Sequence, residues 1–349
     1  MQSRISWIDV ARGIGIIIVI YAHGLSADSY RHLFYSFHMP LFFFLSGIVF
    51  HHRKYEHFSH FFKKTVKGIL LPYVIFALLS YLLWLSRSHI APTDALSQLY
   101  GIFYGNGAKY LAFNNLLWFL PSLFVTKIGF GLLTKFTEKK TRIIFLLFLS
   151  SLVGYCISVF APTVKLPFGI ETVFTALVFF GAGYLWNAYA EKMKALLRTY
   201  ALPLFLFSLI ACITFATMNF NIHGLQVDMR LNRLHNYAYF YITALSGITS
   251  SIILSMIIQK NRVLEYIGKH SLVLFVWHIT AFSYFTQLLR LIMDEQTLNN
   301  LKNISLTPLY TIGSIGIILF CSLLVKKSAL YLADTLRRLK QLSFLGARL

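Results

Sequence analysis

Long apolar runs alternate with short polar segments along the whole chain, and this pattern predicts the fold. The runs are about 20 residues long, which is the length that an α-helix needs to cross the hydrocarbon core of a bilayer. The pattern therefore predicts an all-α integral membrane protein with about ten transmembrane helices, near residues 8–27, 33–50, 69–86, 113–133, 143–160, 170–187, 200–219, 238–258, 264–289 and 307–325.

Three polar residues interrupt the first apolar run: Asp9, Arg12 and His23. An ionisable residue within a spanning helix is costly and therefore indicates function. The eleven helical steps from Arg12 to His23 give about 16 Å of rise and about 20° of residual rotation. Both side chains therefore lie on one stripe of the helix, with Arg12 near one membrane face and His23 near the other. We expect Asp9 to pair with Arg12 at i,i+3 and to orient it.

The composition is that of a membrane protein, and the location of the basic residues explains the positive net charge. Charged residues make up 13% of the chain, whereas soluble domains carry about 25%. Most of the 32 lysines and arginines fall on one side of the predicted spans, which predicts a cytoplasmic N-terminus and C-terminus. This distribution argues against nucleic-acid binding. The three cysteines all lie in apolar runs, without the spacing of a disulfide framework or a metal site.

Three histidines fall in the predicted outer half of the membrane: His23, His38 and His278. Histidine acts as a general base near neutral pH, although an intramembrane histidine also serves as a hydrogen-bonding residue between helices. Trp118 lies at the predicted outer interface, where tryptophan is common. We interpret His38, Trp118 and His278 as supporting residues on the acceptor side.

Basic residues collect on the predicted inner side. Lys63, Lys64 and Lys67 precede the third span, and Arg12 lies at the inner end of the first. These cations suit a ligand that carries phosphate groups, although loop lysines also set topology. Lys64 and Lys67 share a face if the segment is helical.

Two interpretations are open for each of three further features of the sequence. Lys127, within a span, either snorkels towards the inner side or faces a cavity. Residues 88–112 form either a lid or an interfacial helix. The polar loop 220–237 contacts either a sugar or only water.

Five motifs carry a family resemblance: WIDVARGIGIIIVIYAHG, FHMPLFFFLSG, the basic run ending in LLPY, LWFLPSLF and GKHSLVLFVWH. On these motifs the chain resembles the acyltransferase family 3 membrane proteins, and among them the fucose 4-O-acetylases and surface-polysaccharide O-acetyltransferases. The resemblance covers essentially the whole chain. It implies transfer of an acyl group, usually acetyl from acetyl-CoA, to a sugar hydroxyl at the extracytoplasmic side of a bacterial plasma membrane.

The resemblance also implies roles for single residues. His23 matches the position of the catalytic histidine, and Arg12 matches its companion on the same helix. The basic residues before LLPY are implied to hold CoA. Relatives often carry arginines there, whereas this chain has Lys63, Lys64 and Lys67, which bind phosphate without bidentate geometry. Acetyl-CoA is implied as a donor substrate, with no tightly bound cofactor and no metal.

We therefore predict a membrane-bound O-acetyltransferase whose partners are acetyl-CoA, a surface glycan or its lipid-linked precursor, and the bilayer. We assign residues 1–327 to the multi-pass domain and 328–349 to a basic amphipathic cytoplasmic tail. Two alternatives stay open. The chain is a transporter of polysaccharide intermediates, or it is an O-succinyltransferase with the same architecture.

Overall fold

The computed structural model describes residues 5–25, 30–51, 57–86, 91–297 and 306–346, with the backbone alone for Arg198 and 329–346. The chain divides into two compact units, residues 1–269 and 270–349, and each is described by itself.

The described part of the first unit is built from α-helices and short connections. Their bounds are α1 (Ser6–Gly24), α2 (Arg31–Tyr35), α3 (His38–Ile48), α4 (Phe58–Thr65), α5 (Leu71–Leu85), α6 (Pro92–Tyr104), α7 (Phe119–Phe136), α8 (Lys140–Phe160), α9 (Ile170–His223), α10 (Tyr237–Ile258) and α11 (Arg262–Lys269). A π-helical turn, Val66–Leu70, joins α4 to α5, and 3₁₀ turns form at Asn115–Trp118, Pro167–Gly169 and Met229–Leu231.

The second unit contains α12 (Ser271–Leu289) and α13 (Thr307–Gly346). Leu289 and Tyr310 form its small buried core, against which Phe282 and Phe285 pack. The predicted tail continues α13 to Gly346, so its backbone is helical. Its position at a lipid surface stays a prediction, because its side chains lie outside the described residues.

Nine helical segments of the described chain are long and apolar enough to cross a membrane: Ser6–Gly24, Phe58–Leu85, Asn115–Phe136, Lys140–Phe160, Pro167–Leu197, Thr199–His223, Tyr237–Ile258, Ser271–Leu289 and Thr307–Ser328. Helices satisfy their own backbone hydrogen bonds, which is what a bilayer requires. The prediction of an all-α multi-pass membrane protein is confirmed.

The segment 33–50, predicted as one span, is instead divided between α2 and α3. Two side chains end α2 by donating to its last carbonyl groups: Ser36 Oγ to His32 O at 2.8 Å, and His38 Nδ1 to Phe34 O at 2.6 Å. Pro40 lies in the first turn of α3. A helix tolerates proline there because the first amide groups have no partner within the helix. The break turns the side chains of α2 towards the outer end of α1.

Helix α9 is a hairpin of two spans rather than one straight rod. Thr172, near its start, donates to Met229 O, and Asn219, near its end, donates to Leu234 O. Both ends therefore reach the same loop, residues 224–236. The bend lies at Tyr200, whose φ of −121° leaves the helical range. Pro203 accounts for the bend, because it lacks the amide hydrogen and its ring crowds the preceding turn.

The predicted lid or interfacial segment contains helix α6, which packs along α5. Tyr73 donates to Ile102 O at 2.7 Å, and Tyr81 donates to Ala95 O at 3.0 Å. The order of these contacts makes α6 antiparallel to α5. Phe103 is 72% exposed on the free side of α6, which suits contact with lipid.

Two helix pairs approach each other through reciprocal glycines. A Cβ at Gly47 of α3 would collide with the Phe180 carbonyl oxygen of α9, and one at Gly183 of α9 would collide with the Phe44 carbonyl oxygen of α3. Small residues allow such close backbone packing in membranes. Gly13 of α1 and Gly268 of α11 meet the facing backbone in the same way. These contacts fix the helices that carry the histidines.

Candidate active site

Helix α1 carries the polar line that its sequence predicts. Here inner and outer denote the sides that the charge distribution predicts. Arg12 Nη1 lies 3.3 Å from Asp9 Oδ1, and the Asp9 side chain is 3% exposed. The expected i,i+3 pair is therefore present, and it holds Arg12 at the inner part of the helix. His23 lies eleven residues further along, in the last turn.

Three rings meet at the outer end of α1. The His23 ring centroid lies 5.3 Å from that of Tyr35 and 6.2 Å from that of His38, and Tyr35 and His38 are 4.9 Å apart. His38 is buried, and His23 is partly buried. We call these three residues the histidine cluster. It assembles because the break between α2 and α3 places Tyr35 and His38 opposite α1.

The hydrogen bonds of both histidines define their tautomers. His23 Nδ1 lies 2.8 Å from Val19 O, and His38 Nδ1 lies 2.6 Å from Phe34 O. A carbonyl oxygen can only accept, so each Nδ1 carries a hydrogen, and in the neutral imidazole Nε2 then carries the lone pair. The lone pair is what a general base needs. The geometry therefore prepares His23 Nε2 to accept a proton.

Arg31 supports the Tyr35 side of the histidine cluster. Its Nη2 donates to Tyr35 Oη at 2.7 Å, and its guanidinium carbon lies 4.6 Å above the Tyr35 ring centroid. The Nε of Arg31 is buried and has no acceptor among the described residues. Arg31, Asp228 and Arg230 all act electrostatically on His23, so charged groups of both signs surround the cluster.

The outer loop 224–236 contributes the ion pair Asp228–Arg230. Arg230 Nη2 lies 3.1 Å from Asp228 Oδ2, and Arg230 Nη1 donates to Gly107 O at 3.1 Å. A Cβ at Gly107 would lie 2.8 Å from Trp118 Cβ, so Trp118 packs directly under this contact. Trp118 is 6% exposed. Trp118 is therefore packed beneath the outer loops and is not an exposed side chain at the membrane interface.

A buried carboxylate ties the outer loops together. Glu171 is completely buried and accepts from Asn106 Nδ2 at 2.8 Å and from Leu166 N at 3.0 Å. Lys165 Nζ donates to Leu231 O at 2.8 Å. Burial lowers the pKa of Lys165, and the carboxylates of Glu171 and Asp228 oppose that shift. Three chain segments thus form one hydrogen-bonded frame around the outer side of the site.

The lysine segment is helical and continuous with a span. Lys63 and Lys64 belong to α4, and Lys67 lies in the π-helical turn. All three are exposed. π-Helical turns are rare and frequently occur at functional sites. The span is therefore longer at its inner end than predicted, and the lysines belong to it rather than to a separate loop.

Lys127 of α7 joins the lysine segment. Lys64 acts electrostatically on Lys127, and the rings of Phe62, two residues before Lys64, and Phe124, one turn before Lys127, are 5.9 Å apart. No ion pair between Lys127 and a carboxylate occurs in the described part of the chain. Both interpretations of Lys127 therefore stay open, and Lys127 is a partly buried cation on a second helix near the lysine segment.

A family model described as an acyltransferase domain, that of acyltransferase family 3, matches residues 5–326. The chain belongs to acyltransferase family 3. A search of curated proteins found no match to this acyltransferase, and a search of solved structures found none either. Membership makes the protein a membrane acyltransferase, which decides against the transporter alternative.

The acyltransferase brings some predicted residues together and leaves others apart. His23 meets His38, and Arg12 meets Asp9. Trp118 lies beneath the outer loops.

His278 belongs to the second unit of the acyltransferase. It is fully buried in α12, its Nδ1 lies 2.8 Å from Phe275 O, and its ring centroid lies 5.9 Å from that of Phe282. Its role on the acceptor side stays a prediction.

The sequence analysis did not single out Arg31 and Tyr35, which the structure places at the histidine cluster. Tyr35 precedes His38 by three residues, a spacing that would have paired them on one continuous helix. The signal was therefore present, but the contact with His23 depends on the break after α2.

Proposed function

We propose that this acyltransferase moves an acetyl group from acetyl-CoA to a sugar hydroxyl of a cell-surface polysaccharide or its lipid-linked precursor, in a bacterial plasma membrane. The observation that carries the proposal is the histidine cluster: His23, with its Nε2 lone pair, lies at the opposite end of α1 from Arg12. Family membership supports the reaction class. The resemblance to polysaccharide O-acetyltransferases supports the donor and the acceptor.

In the proposed reaction His23 is the general base. Its Nε2 takes the proton of the sugar hydroxyl while the sugar oxygen attacks the thioester carbonyl carbon. The carbon–sulfur bond breaks, the sulfur leaves and takes the proton from the His23 imidazolium, and the products are a sugar ester and CoA with a free thiol. General-base catalysis of this kind contributes typically about 10²- to 10⁴-fold.

Arg31 and Tyr35 stabilise the negative charge that develops on the carbonyl oxygen. The Tyr35 hydroxyl is polarised by the hydrogen bond from Arg31, and the buried Nε–H of Arg31 is a donor of suitable charge. Donors aimed at developing charge in a site that excludes water contribute strongly to catalysis.

The donor is held from the inner side. Arg12, Lys63, Lys64 and Lys67 bind the phosphates of CoA, as the resemblance implies, and Lys127 adds a cation from α7. Four lysines and one arginine from three helices match a ligand with several phosphate charges. His38, Trp118 and the frame of outer loops shape the acceptor side.

A second route assigns His23 a covalent role. In that route Nε2 attacks the thioester, the acetyl group rests on His23, and the sugar hydroxyl then displaces it. Incubation with radiolabelled acetyl-CoA without acceptor distinguishes the two routes. Label on the wild-type protein that is absent from His23→Ala supports the covalent route, and an unlabelled protein that still transfers supports direct attack.

Mass spectrometry of surface glycans tests the proposal. Wild-type cells, a deletion strain, and strains with His23→Ala or His51→Ala are compared at equal amounts of inserted protein. His51 is an exposed histidine just after α3, so it is the matched control. We expect one acetyl group per repeat to be lost in the deletion and in His23→Ala but kept in His51→Ala. Loss of a succinyl group instead of an acetyl group would identify succinyl-CoA as the donor. A glycan of unchanged mass in the deletion strain would overturn the proposal.

A further inference from the structure

A cavity of about 670 Å³ lies at the inner end of the first unit. Three helices line it: the start of α1, the bend of α9 and the end of α10. Its polar lining residues are Ser6, Trp7, Lys194, Gln259 and Lys260. The rest of the lining is aliphatic and includes Leu197, Ile253 and Met256.

The bend of α9 places this cavity at the inner membrane surface. Both ends of α9 reach the outer loop 224–236, so Lys194 and Leu197, which precede the bend at Tyr200, lie at the opposite side. The cavity is also remote from His23, because Ser6 and His23 are separated by about 25 Å of helix at ~1.5 Å per residue.

The cavity is distinct from the donor stripe on α1. Seen down the helix axis, Trp7 lies about 140° and Ser6 about 240° around from Arg12, at ~100° per residue. The cavity therefore faces the side of α1 opposite Arg12. A ligand there does not share the polar line that leads to His23.

We propose that this cavity binds one anionic glycerophospholipid of the inner leaflet. Lys194 and Lys260 supply two positive charges for the phosphate, and no carboxylate is among the residues that line the cavity. Ser6 and Gln259 add hydrogen-bond donors. The aliphatic lining accepts the first part of the acyl chains, and Trp7 has the amphipathic ring that occurs where headgroups meet chains.

One contact competes for Lys194 without closing the cavity. Its Nζ lies 2.8 Å from Glu191 Oε1, and the Glu191 side chain is 87% exposed. Exposed pairs of this kind are weak, so a phosphate at the cavity mouth replaces the carboxylate. Lys260 has no such partner among the described residues, and it lies just after Gln259, whose φ of 53° ends α10.

Native mass spectrometry of the full chain tests the proposal independently of acetyl transfer. The protein is released from nanodiscs that contain phosphatidylglycerol and phosphatidylcholine, and retained lipids are counted. The variants are Lys194→Ala/Lys260→Ala, the charge-retaining Lys194→Arg/Lys260→Arg, and the control Lys139→Ala/Lys192→Ala, which removes two exposed lysines outside the lining.

We expect one tightly retained phosphatidylglycerol in the wild type, the arginine variant and the control. Each lysine near a membrane surface contributes about fivefold in affinity, so the alanine pair should bind about 25-fold more weakly. Equal retention in the alanine pair, or an equal loss in the control, would overturn the site. Displacement of the lipid by added CoA would reassign the cavity to the donor.

Discussion

The rings of His23 and His38 meet nearly edge to face, with centroids 6.2 Å apart and planes at 83°. The two residues come from different helices, and each directs its Nδ1 hydrogen to a backbone carbonyl of its own chain segment. Each imidazole is therefore anchored to the backbone through its Nδ1. We predict from this contact that His38 positions His23.

Removal of His38 should lower the rate without changing donor affinity. His38→Ala deletes one wall of the histidine cluster, and we expect kcat to fall about tenfold or more, since His23 loses its orientation. KM for acetyl-CoA should stay the same, because the lysines lie on the inner side. His32→Ala is the control: His32 is also buried, but it stacks on Phe220 at 4.5 Å. An equal fall of kcat in both variants would assign His38 a general structural role.

Loss of the Tyr35 hydroxyl should reduce catalysis while the ring stays in place. Tyr35→Phe removes the acceptor of the 2.7 Å bond from Arg31. A hydrogen bond to a charged group contributes about 1.5–3 kcal/mol, so we expect kcat/KM to fall roughly ten- to hundredfold. Initial rates with purified protein in nanodiscs measure this. Tyr21→Phe, on α1 beside Phe34, serves as the control, and full activity of Tyr35→Phe would exclude a catalytic hydroxyl.

Substitution of Lys127 should affect donor binding. Lys127→Ala removes the cation from α7 that acts on Lys64, and we expect KM for acetyl-CoA to rise about five- to tenfold with little change in kcat, as for one lost charge-assisted contact. The effect should shrink at high salt. Lys135→Ala, two turns further along α7 over the Phe58 ring, should leave KM unchanged. A fall in kcat alone would contradict the donor role.

A single methyl group at Gly183 should destabilise the packing of α3 on α9. In Gly183→Ala the new Cβ meets the Phe44 carbonyl oxygen, and overpacking of this kind costs about 1–3 kcal/mol. Thermal unfolding in detergent should show a lower midpoint. Gly129→Ala is the matched control, since a Cβ there meets nothing within 4 Å. An unchanged midpoint for Gly183→Ala would mean that α3 and α9 accommodate the methyl group without loss of stability, which would contradict the prediction.

Acidification should loosen the outer loop 224–236. Burial lowers the pKa of His235, and the nearby His223 and Arg233 lower it further. The open loop therefore binds the proton more readily than the folded loop, so this stabilisation is present above about pH 6.5, the value of an exposed histidine, and is lost as the pH falls below it. Hydrogen exchange of the loop at about pH 7.5 and 5.5 measures the change. His235→Asn should abolish the pH dependence, and an unaltered dependence would assign it to another group.

Rules of spacing within one segment predicted much of the site. The contacts that they did not predict join different segments. The Asp9–Arg12 pair follows from i,i+3 spacing on one helix, and the spans follow from the lengths of the apolar runs. The contact between His23 and His38 needed the break at Ser36, where two side chains end a helix inside an apolar run. No apolar pattern reveals such a break. The same holds for Gly183, whose importance depends on a carbonyl from a distant segment.

The backbone contact between Gly13 and Leu264 has a consequence for the order in which the protein assembles. Helix α1 is synthesised before the helices that follow it here, and Leu264, which packs against Gly13, emerges from the ribosome roughly 250 residues later. Until then, the pair of buried Asp9 and partly exposed Arg12 lacks this part of its surroundings. We therefore expect a chain that ends before Leu264 to lack the packing that holds this end of α1.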